Sequence, residues 1–371
     1  MKWVCRLWHT AEQRNKEGKW MIYFDEQRYI QTVLAKMIRE FDYRHVLGTG
    51  KWQEWQEWQQ AFRSKLAEIT GLEQIKRQAI GVPLSPRITE TVEFPEYTRE
   101  KIYITSETDI EVPFYLLLPK NAVKPVPLAI CAHGHGRRGK EDYAGNFESP
   151  EDREQAINQD RDLAEQAISE GYAALVPEVR GFWEMARQED MHEGKSKSCD
   201  DMQRISLLLG RSLIGERVHD FSRVLDYAAT RPELDMEKVM ITGSSSGGAV
   251  CVFTAALDER ISLVAPGCYF CTFEHSIVSV HHCICNAIPG IMQVGEMYDV
   301  VGLIAPRPVL MINGETDPLF PIEGVHISFE HVQNIYSEFG SADRCELFVG
   351  NGGHRYFKNR VWDFVREQWA L

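Results

Sequence analysis

The sequence contains no long run of apolar residues. No stretch reaches the roughly 18 apolar residues that a membrane-spanning helix needs, so we expect no contact with a membrane. The first 20 residues, MKWVCRLWHTAEQRNKEGKW, lack both the apolar core and the small-residue cleavage site of a secretory signal. We therefore expect the protein to be cytoplasmic.

Positive charge is in deficit. The 371 residues include 41 Lys and Arg against 54 Asp and Glu, which gives a formal net charge of −13. A surplus of negative charge disfavours binding to nucleic acid or to an anionic membrane surface, so we expect neither as a partner. The length accommodates one large α/β domain with an extension, or two ordinary domains.

The cysteines do not suggest a disulfide framework, since nine is an odd number and a secretory signal is lacking. Seven cysteines and histidines cluster in one segment: Cys268, Cys271, His275, His281, His282, Cys283 and Cys285. These residue types and the C-x-x-C spacing are compatible with zinc. The apolar residues between them are equally typical of buried thiols and packed histidines, or of a pocket lining. We favour that second interpretation and predict no metal site.

Residues 1–89 differ from the rest of the chain and form a predicted helical N-terminal extension. Its clearest feature is an apolar stripe with spacings of three and four, made of Trp52, Trp55, Trp58, Phe62, Leu66 and Ile69. This spacing places the stripe on one face of an α-helix, and Gly71 is typical of a helix stop. We expect the stripe to pack against the body of the protein. A homo-oligomer formed through these helices is the alternative.

Residues 90–371 form the predicted catalytic domain, in which strands and helices alternate. Antiparallel strands are predicted at 92–94 and 101–118, and later strands at 127–132, 172–177, 238–242, 261–264, 308–313 and 345–349. Helices are predicted at about 151–170, 216–230, 247–257, 323–338 and 355–370. This alternation indicates a mostly parallel sheet with helices on both faces. The segments 181–215 and 268–300 interrupt it as insertions, where pockets tend to form.

The most informative segment is Gly243-Ser244-Ser245-Ser246-Gly247. It lies between a predicted strand and a predicted helix. A G-x-S-x-G sequence in this context is typical of a nucleophile elbow, a strained turn that raises one serine above the sheet. The flanking glycines let the helix pack close to the strand. We therefore predict Ser245 as a catalytic nucleophile.

A serine hydroxyl needs a base that removes its proton and a third group that orients the base. Both residue types follow Ser245, each on a loop directly after an apolar strand. The carboxyl ends of parallel strands meet at one edge of a sheet, so these loops share the edge of the elbow. We predict His354 as the general base and Asp317 as its orienting acid. Glu315 and Glu274 remain alternatives for the acid.

The reaction also needs N–H donors for the oxyanion that develops in the transition state. One predicted donor is the amide of Ser246, directly after the nucleophile. The other is the amide of His135, in the loop that follows an early strand. His133 and His135 could also suggest a metal site, but the sequence offers no nearby carboxylate to complete it.

The segment Glu178–Trp183 ends another predicted strand and is expected to face the same pocket. We predict Arg180 and Trp183 as substrate-binding residues, because an arginine there can bind a carboxylate or sugar hydroxyls. An ion pair between Arg180 and Glu178 or another loop acid is the alternative.

Residues 90–371 resemble the α/β-hydrolase superfamily, and within it the branch of acetyl xylan esterases and dienelactone hydrolases. The resemblance is carried by AHGHGRRGK (132–140), EVRGFW (178–183), ITGSSSGG (241–248), DVVGLIAPRPVLMINGETDPLFP (299–321) and GNGGHRY (350–356). It implies the α/β-hydrolase fold and hydrolysis of small esters through an acyl-enzyme without a cofactor. It also implies acetylated oligosaccharides as the substrate class.

We therefore expect a serine esterase whose partner is a small-molecule ester, such as a small acetylated carbohydrate. A serine peptidase of the prolyl-oligopeptidase type is an alternative, although such peptidases normally carry a large propeller domain that this chain does not accommodate. A non-catalytic binding protein of the same fold is a further alternative. The presence of all three triad residue types in the expected order argues against it.

Overall fold

A computed structural model describes residues 24–47 and 52–369, together with two short strands before them. The chain divides into two units, Met1–Glu40 and Phe41–Leu371. In the first unit, strands β1 (Gln13–Arg14) and β2 (Trp20–Met21) pair antiparallel and helix α1 spans Glu26–Leu34. The Asp25 carboxylate caps α1 by accepting the N–H of Arg28 at 2.9 Å.

The second unit is built on a nine-stranded sheet. Its strands are β3 (Arg87–Glu93), β4 (Tyr97–Glu107), β5 (Ile110–Pro119), β6 (Val126–Ala132), β7 (Ala173–Pro177), β8 (Leu234–Ser244), β9 (Leu263–Gly267), β10 (Val309–Gly314) and β11 (Cys345–Gly350). They lie in the order β11-β10-β9-β8-β6-β7-β5-β4-β3. Strands β6 to β11 pair parallel, whereas β3, β4 and β5 pair antiparallel with their neighbours. The predicted sheet, mostly parallel with an antiparallel edge, is confirmed.

Helices cover both faces of this sheet. They are α2 (Trp52–Ile69), α3 (Leu72–Gln78), α4 (Pro150–Asn158), α5 (Leu163–Ser169), α6 (Gln188–His192), α7 (Cys199–Leu208), α8 (Leu213–Ala228), α9 (Ser246–Leu257), α10 (Ile291–Val294), α11 (Met297–Gly302), α12 (Ile322–Glu338) and α13 (Val361–Trp369). Successive strand residues point to opposite faces, so Leu128 and Ile130 join one apolar core while Ala129 and Cys131 join the other. The first core includes α2, α8, α9 and α12, and the second includes α5 and α13.

Three predicted boundaries are wrong. The strand predicted at 101–118 is two strands, β4 and β5, which turn at Asp109 with φ +63°. The helix predicted at 151–170 is interrupted between α4 and α5, where Asp160 has φ +54°. A positive φ is incompatible with a continuous strand or right-handed helix. The last helix begins at Val361 rather than near residue 355.

The predicted apolar stripe lies on α2. The side chain of Trp52 falls outside the described residues, whereas Trp55, Trp58, Phe62 and Leu66 are buried. The ring of Trp55 packs against Phe339 with the ring centroids 5.1 Å apart. The stripe therefore packs into the same core as the sheet, as the packing interpretation predicts. The boundary predicted between residues 89 and 90 falls inside β3.

The two predicted insertions follow the carboxyl ends of β7 and β9. The first contains α6 and α7, and the second contains α10 and the start of α11. The side-chain amide of Gln203, on α7, donates to the carbonyl of Ala287 at 2.7 Å, so the insertions contact each other. Among the described helices, none combines the length and the apolarity needed to cross a bilayer.

Candidate active site

Ser245 occupies the sharp turn between β8 and α9. Its backbone has φ +57° and ψ −115°, and its N–H donates to the carbonyl of Gly267 at 2.8 Å. A Cβ atom at Gly243 or Gly247 would overlap the carbonyl oxygen of Ala132 on the adjacent strand. Gly243 is therefore required by the close approach of β8 to β6, and Gly247 by the close approach of α9 to β6. The turn has the strained geometry of the predicted nucleophile elbow.

Three polar side chains form a hydrogen-bonded chain that begins at this serine. The Oγ of Ser245 lies 2.9 Å from Nε2 of His354, and Nδ1 of His354 lies 2.8 Å from Oδ2 of Asp317. The other carboxylate oxygen of Asp317 accepts the amides of Leu319 at 2.8 Å and Phe320 at 3.3 Å. The structure thus brings together the three residues predicted from widely separated segments. This arrangement allows the imidazole to remove the serine proton.

The alternative acids lie elsewhere. Glu315 and Glu274 are exposed, and within the described residues neither carboxylate contacts His354, whereas Asp317 is 3% exposed and bonded to it. Asp317 is therefore the acid that the geometry supports.

The predicted oxyanion donors lie on both sides of Ser245, one at the start of α9 and the other in the loop after β6. The Ser246 N–H begins α9, where an amide has no intrahelical acceptor. His135 lies in the loop after β6, which approaches the elbow so closely that a Cβ at Gly134 would lie 2.7 Å from the Ser244 carbonyl oxygen. Ser246 and His135 both line the cavity into which Ser245 opens.

The cavity above the elbow has a volume of about 350 Å³, at the lower end of the range for small-molecule sites. Its lining includes three cationic side chains, Arg161, Lys197 and Arg355, and the histidines His281 and His282. Burial lowers the pKa of His282. None of the three cations was predicted from the sequence, although the position of Arg355 next to the predicted base was an available signal.

The two predicted substrate-binding residues are placed elsewhere. The guanidinium of Arg180 is buried and makes a two-pronged ion pair with Asp220 at 2.7 and 2.9 Å. Its remaining nitrogen lies 3.0 Å from Glu107 and 3.5 Å from Glu216. Neither Arg180 nor Trp183 is among the described residues that line the cavity. The substrate-binding prediction for Arg180 is therefore corrected: acids on β4 and α8 occupy its donors, as in the ion-pair alternative.

A buried ionic cluster connects the loop after β6 with the first insertion. Lys140 is fully buried, and its ammonium lies 3.1 Å from Glu141 and 3.0 Å from Glu178. It also contacts the carboxylate of Glu184. Burial alone would raise the pKa of Glu184, but the charge and hydrogen bonds of Lys140 outweigh burial and lower that pKa to about 2.

The predicted Cys and His cluster does not assemble as one group. Cys283 and Cys285 meet His135 and Cys199, which come from other segments, and their ligating atoms all lie within 4.8 Å of one another. Cys199 was not singled out in the sequence, because its contact with Cys283 depends on how the two insertions fold.

The other members of the cluster make separate contacts. The thiol of Cys268 contacts the carbonyl of Arg355, and the thiol of Cys271 lies 3.6 Å from the carbonyl of Pro321. His275 bonds to the Thr272 hydroxyl at 2.6 Å. The C-x-x-C pair that suggested zinc is therefore not part of the group formed by His135, Cys199, Cys283 and Cys285.

The sequence model of the Abhydrolase family matches residues 13–335 of this chain. Among known proteins, the candidate hydrolase YtaP of Bacillus subtilis (strain 168) is 26% identical over 282 residues. The match covers 73% of this chain and 87% of YtaP.

Solved structures with the same fold include two esterases. A candidate acetyl xylan esterase from Bacteroides fragilis NCTC 9343 superposes with a TM-score of 0.72 at 19% identity, covering 91% of this chain and 84% of that one. A CE15 glucuronoyl esterase from Caldicellulosiruptor kristjansonii has a TM-score of 0.59 at 17% identity and covers 93% of both chains. These comparisons confirm the predicted fold class.

Proposed function

This chain belongs to the Abhydrolase family, and on that premise we propose that it is a serine esterase that acts through an acyl-enzyme. The observation that carries the proposal is the hydrogen-bonded chain from Ser245 through His354 to Asp317. A histidine with only a packing role would not be expected to hydrogen-bond both to a strained serine and to a buried carboxylate at one edge of the sheet.

In the first half of the reaction, His354 removes the proton of Ser245 as its Oγ attacks the ester carbonyl. Negative charge then develops on the carbonyl oxygen, which the amides of Ser246 and His135 stabilise. Asp317 orients the imidazole and stabilises its protonated form. His354 passes the proton to the departing alcohol, which leaves an acyl group on Ser245.

Water completes the reaction. His354 takes a proton from a water molecule that attacks the acyl carbonyl, and the same two amides stabilise the second tetrahedral intermediate. Collapse of that intermediate returns the proton to Ser245 and releases the acid. The turnover uses one water and regenerates the free serine.

We further propose small acetylated carbohydrates or related esters as substrates. The cavity of about 350 Å³ is large enough for a small ester. Its cationic lining offers N–H donors for sugar hydroxyls or for the carboxylate of an acidic sugar. Two similar structures, described above, are of carbohydrate esterases, which is consistent with this substrate class.

Replacing the nucleophile tests the mechanism. In Ser245→Ala we expect kcat for p-nitrophenyl acetate to fall by at least about 10⁴-fold, because the acyl-enzyme cannot form. Ser337→Ala, which removes an exposed hydroxyl on α12, serves as the matched control and keeps wild-type turnover. Two results together would refute the proposal: wild-type turnover by Ser245→Ala, and no labelling of Ser245 in the wild-type protein by a fluorophosphonate probe.

Comparisons between substrates test the type of bond that is hydrolysed and the substrate class. Matched ester and amide substrates distinguish an esterase from a peptidase, and we expect hydrolysis of the ester only. A panel of acetyl, butyryl and longer esters with neutral and acidic acetylated xylo-oligosaccharides tests the substrate class. A preference for long acyl chains over acetyl would contradict it.

A further inference from the structure

Four side chains of metal-ligating type converge next to the active-site cavity. His135 comes from the loop after β6, Cys199 from the start of α7, and Cys283 and Cys285 from the second insertion. One ring nitrogen of the histidine and the three sulfur atoms all lie within 4.8 Å of one another. None of the four belongs to the Ser245–His354–Asp317 chain.

We infer that these four side chains bind one zinc ion. Three cysteines and one histidine are a frequent ligand set of structural zinc sites, and thiolates favour zinc over harder cations. A tetrahedral zinc with Zn–S bonds of about 2.3 Å places its sulfur ligands about 3.8 Å apart, which is within the observed spread. Four protein ligands leave no open position for substrate, so the ion has a structural role.

A buried arginine next to the cluster supports an anionic centre. Arg217 is 1% exposed, and its Nη2 lies 3.5 Å from the sulfur of Cys199. Its Nε donates to the carbonyl of Arg180 at 3.0 Å, but Nη1 has no hydrogen-bond partner in the described part of the chain. No carboxylate of that part pairs with it. A buried guanidinium without an anion is strongly destabilising.

Zinc coordination supplies the missing charge. One Zn²⁺ with three thiolates and a neutral imidazole has a net charge of −1, which balances the guanidinium of Arg217. Three neutral thiols would leave that charge uncompensated. The Arg217 observation therefore points to bound zinc independently of the spacing of the ligands.

A second cation, which lines the cavity, contacts one of the three sulfur atoms. The ammonium of Lys197 lies 3.2 Å from the sulfur of Cys283. Outer cations and hydrogen bonds of this kind stabilise ligating thiolates. Zinc binding releases one proton from each of the three thiols, so the affinity falls as the pH is lowered.

The ion would connect both insertions to the loop after β6. Cys199 lies in the first insertion and Cys283 in the second, whereas the amide of His135 is a proposed oxyanion donor. The His135 ring also packs edge-on against Phe182, with the centroids 5.0 Å apart. Any effect of zinc on ester turnover rests on the proposed esterase function, whereas the presence of zinc is independent of that function.

Metal analysis of the full-length protein, purified without chelators or an immobilised-metal column, tests the inference. We expect one zinc per chain, and roughly none in Cys199→Ser and Cys285→Ser. Cys345→Ser, which alters a buried thiol outside the cluster, is the matched control and keeps the zinc. Full zinc content in both cluster variants would overturn the assignment.

Cobalt provides a test that does not depend on the variants being soluble. Wild-type protein stripped of zinc and reloaded with Co²⁺ is expected to show the visible absorption bands of tetrahedral cobalt–thiolate centres. A wild-type protein with neither zinc nor these bands after loading would refute the site, as would a disulfide among the three cysteines in the freshly purified protein.

Discussion

Asp317 accepts three hydrogen bonds at a position from which solvent is nearly excluded. One comes from His354 and two come from backbone amides. The backbone bonds fix the carboxylate, and the carboxylate fixes the ring orientation in which Nε2 faces Ser245. This residue therefore acts through the imidazole rather than on the substrate.

Replacing Asp317 by Asn keeps the size of the side chain and removes its charge. We expect kcat for p-nitrophenyl acetate to fall about 10⁴-fold with little change in KM, because the imidazole loses its orientation and the stabilisation of its charged form. Glu315→Gln, an exposed carboxylate two residues earlier, is the control and retains activity. Equal kcat values for the two variants would argue against the assignment.

For single residues, the sequence predicts the place of a residue in the fold better than the direction in which its side chain points. Ser245, Asp317 and His354 are predictable because each follows a strand of a parallel sheet, and such loops meet at one edge. Arg180 also follows a strand, yet its side chain turns to Asp220 on α8. The backbone pattern around residue 180 contains no information about that distant acid.

Helix α2 packs across the core that also supports the second insertion. The ring of Phe62 stacks on Phe41 with the centroids 5.1 Å apart. Gly295, at the end of α10, approaches so closely that a Cβ there would lie 2.8 Å from the tip of the Phe62 ring. The helix thus stabilises a segment that contributes to the cavity.

Truncating Phe62 tests this contribution. We expect Phe62→Ala to lower the free energy of unfolding by about 3–5 kcal/mol, the usual range for a fully buried aromatic ring. Gln60→Ala, on the exposed face of the same helix, is expected to change it by less than about 0.5 kcal/mol. Urea denaturation followed by circular dichroism measures both. Similar midpoints for the two variants would show that α2 adds little stability.

The sequence allowed the helices and strands to be predicted, but not several of the residues at which they begin and end. The period-three and period-four stripe gives α2 from Trp52 to Ile69, and Gly71 ends it with φ +78°. The breaks at Asp109 and Asp160 were missed because an aspartate tolerates a left-handed backbone without any apolar signal. The polar run at 158–162 was the available sign that the helix stops.

The ionic cluster around Lys140 joins three parts of the second unit. Glu178 follows β7, Glu184 lies in the first insertion, and Lys101 on β4 also bonds Glu184 at 3.0 Å. The pKa of Glu184, lowered to about 2, couples the stability of the fold to pH. A carboxyl with a lowered pKa stabilises the folded state above its unfolded pKa of about 4.3 and loses that effect as the pH falls towards 2.

Replacing Glu184 by Gln should therefore lower stability at pH 7 and flatten the loss of stability between about pH 4.5 and pH 2. Chemical denaturation across this interval measures the slope. Glu237→Gln, an exposed carboxylate on β8, serves as the control and keeps the wild-type slope. A wild-type slope in Glu184→Gln would show that the Lys140 cluster does not govern the acid response.

At the scale of the molecule, the alternation of strands and helices predicted the architecture but not the contacts between insertions. His135, Cys199 and Cys283 meet only because the two insertions and the loop after β6 fold together at one edge of the sheet. Such segments lack periodicity, so their mutual placement depends on tertiary packing that local patterns do not encode.

Strand β11 lies at the edge of the sheet and is made after β8 and α9 during synthesis on the ribosome. The serine of the elbow is made together with β8 and α9, whereas the loop bearing the imidazole follows β11 in the chain. A nascent chain therefore carries the serine for some time without a base. By the proposed mechanism, the newborn polypeptide stays inert towards cellular esters until β11 has docked and His354 has reached the serine.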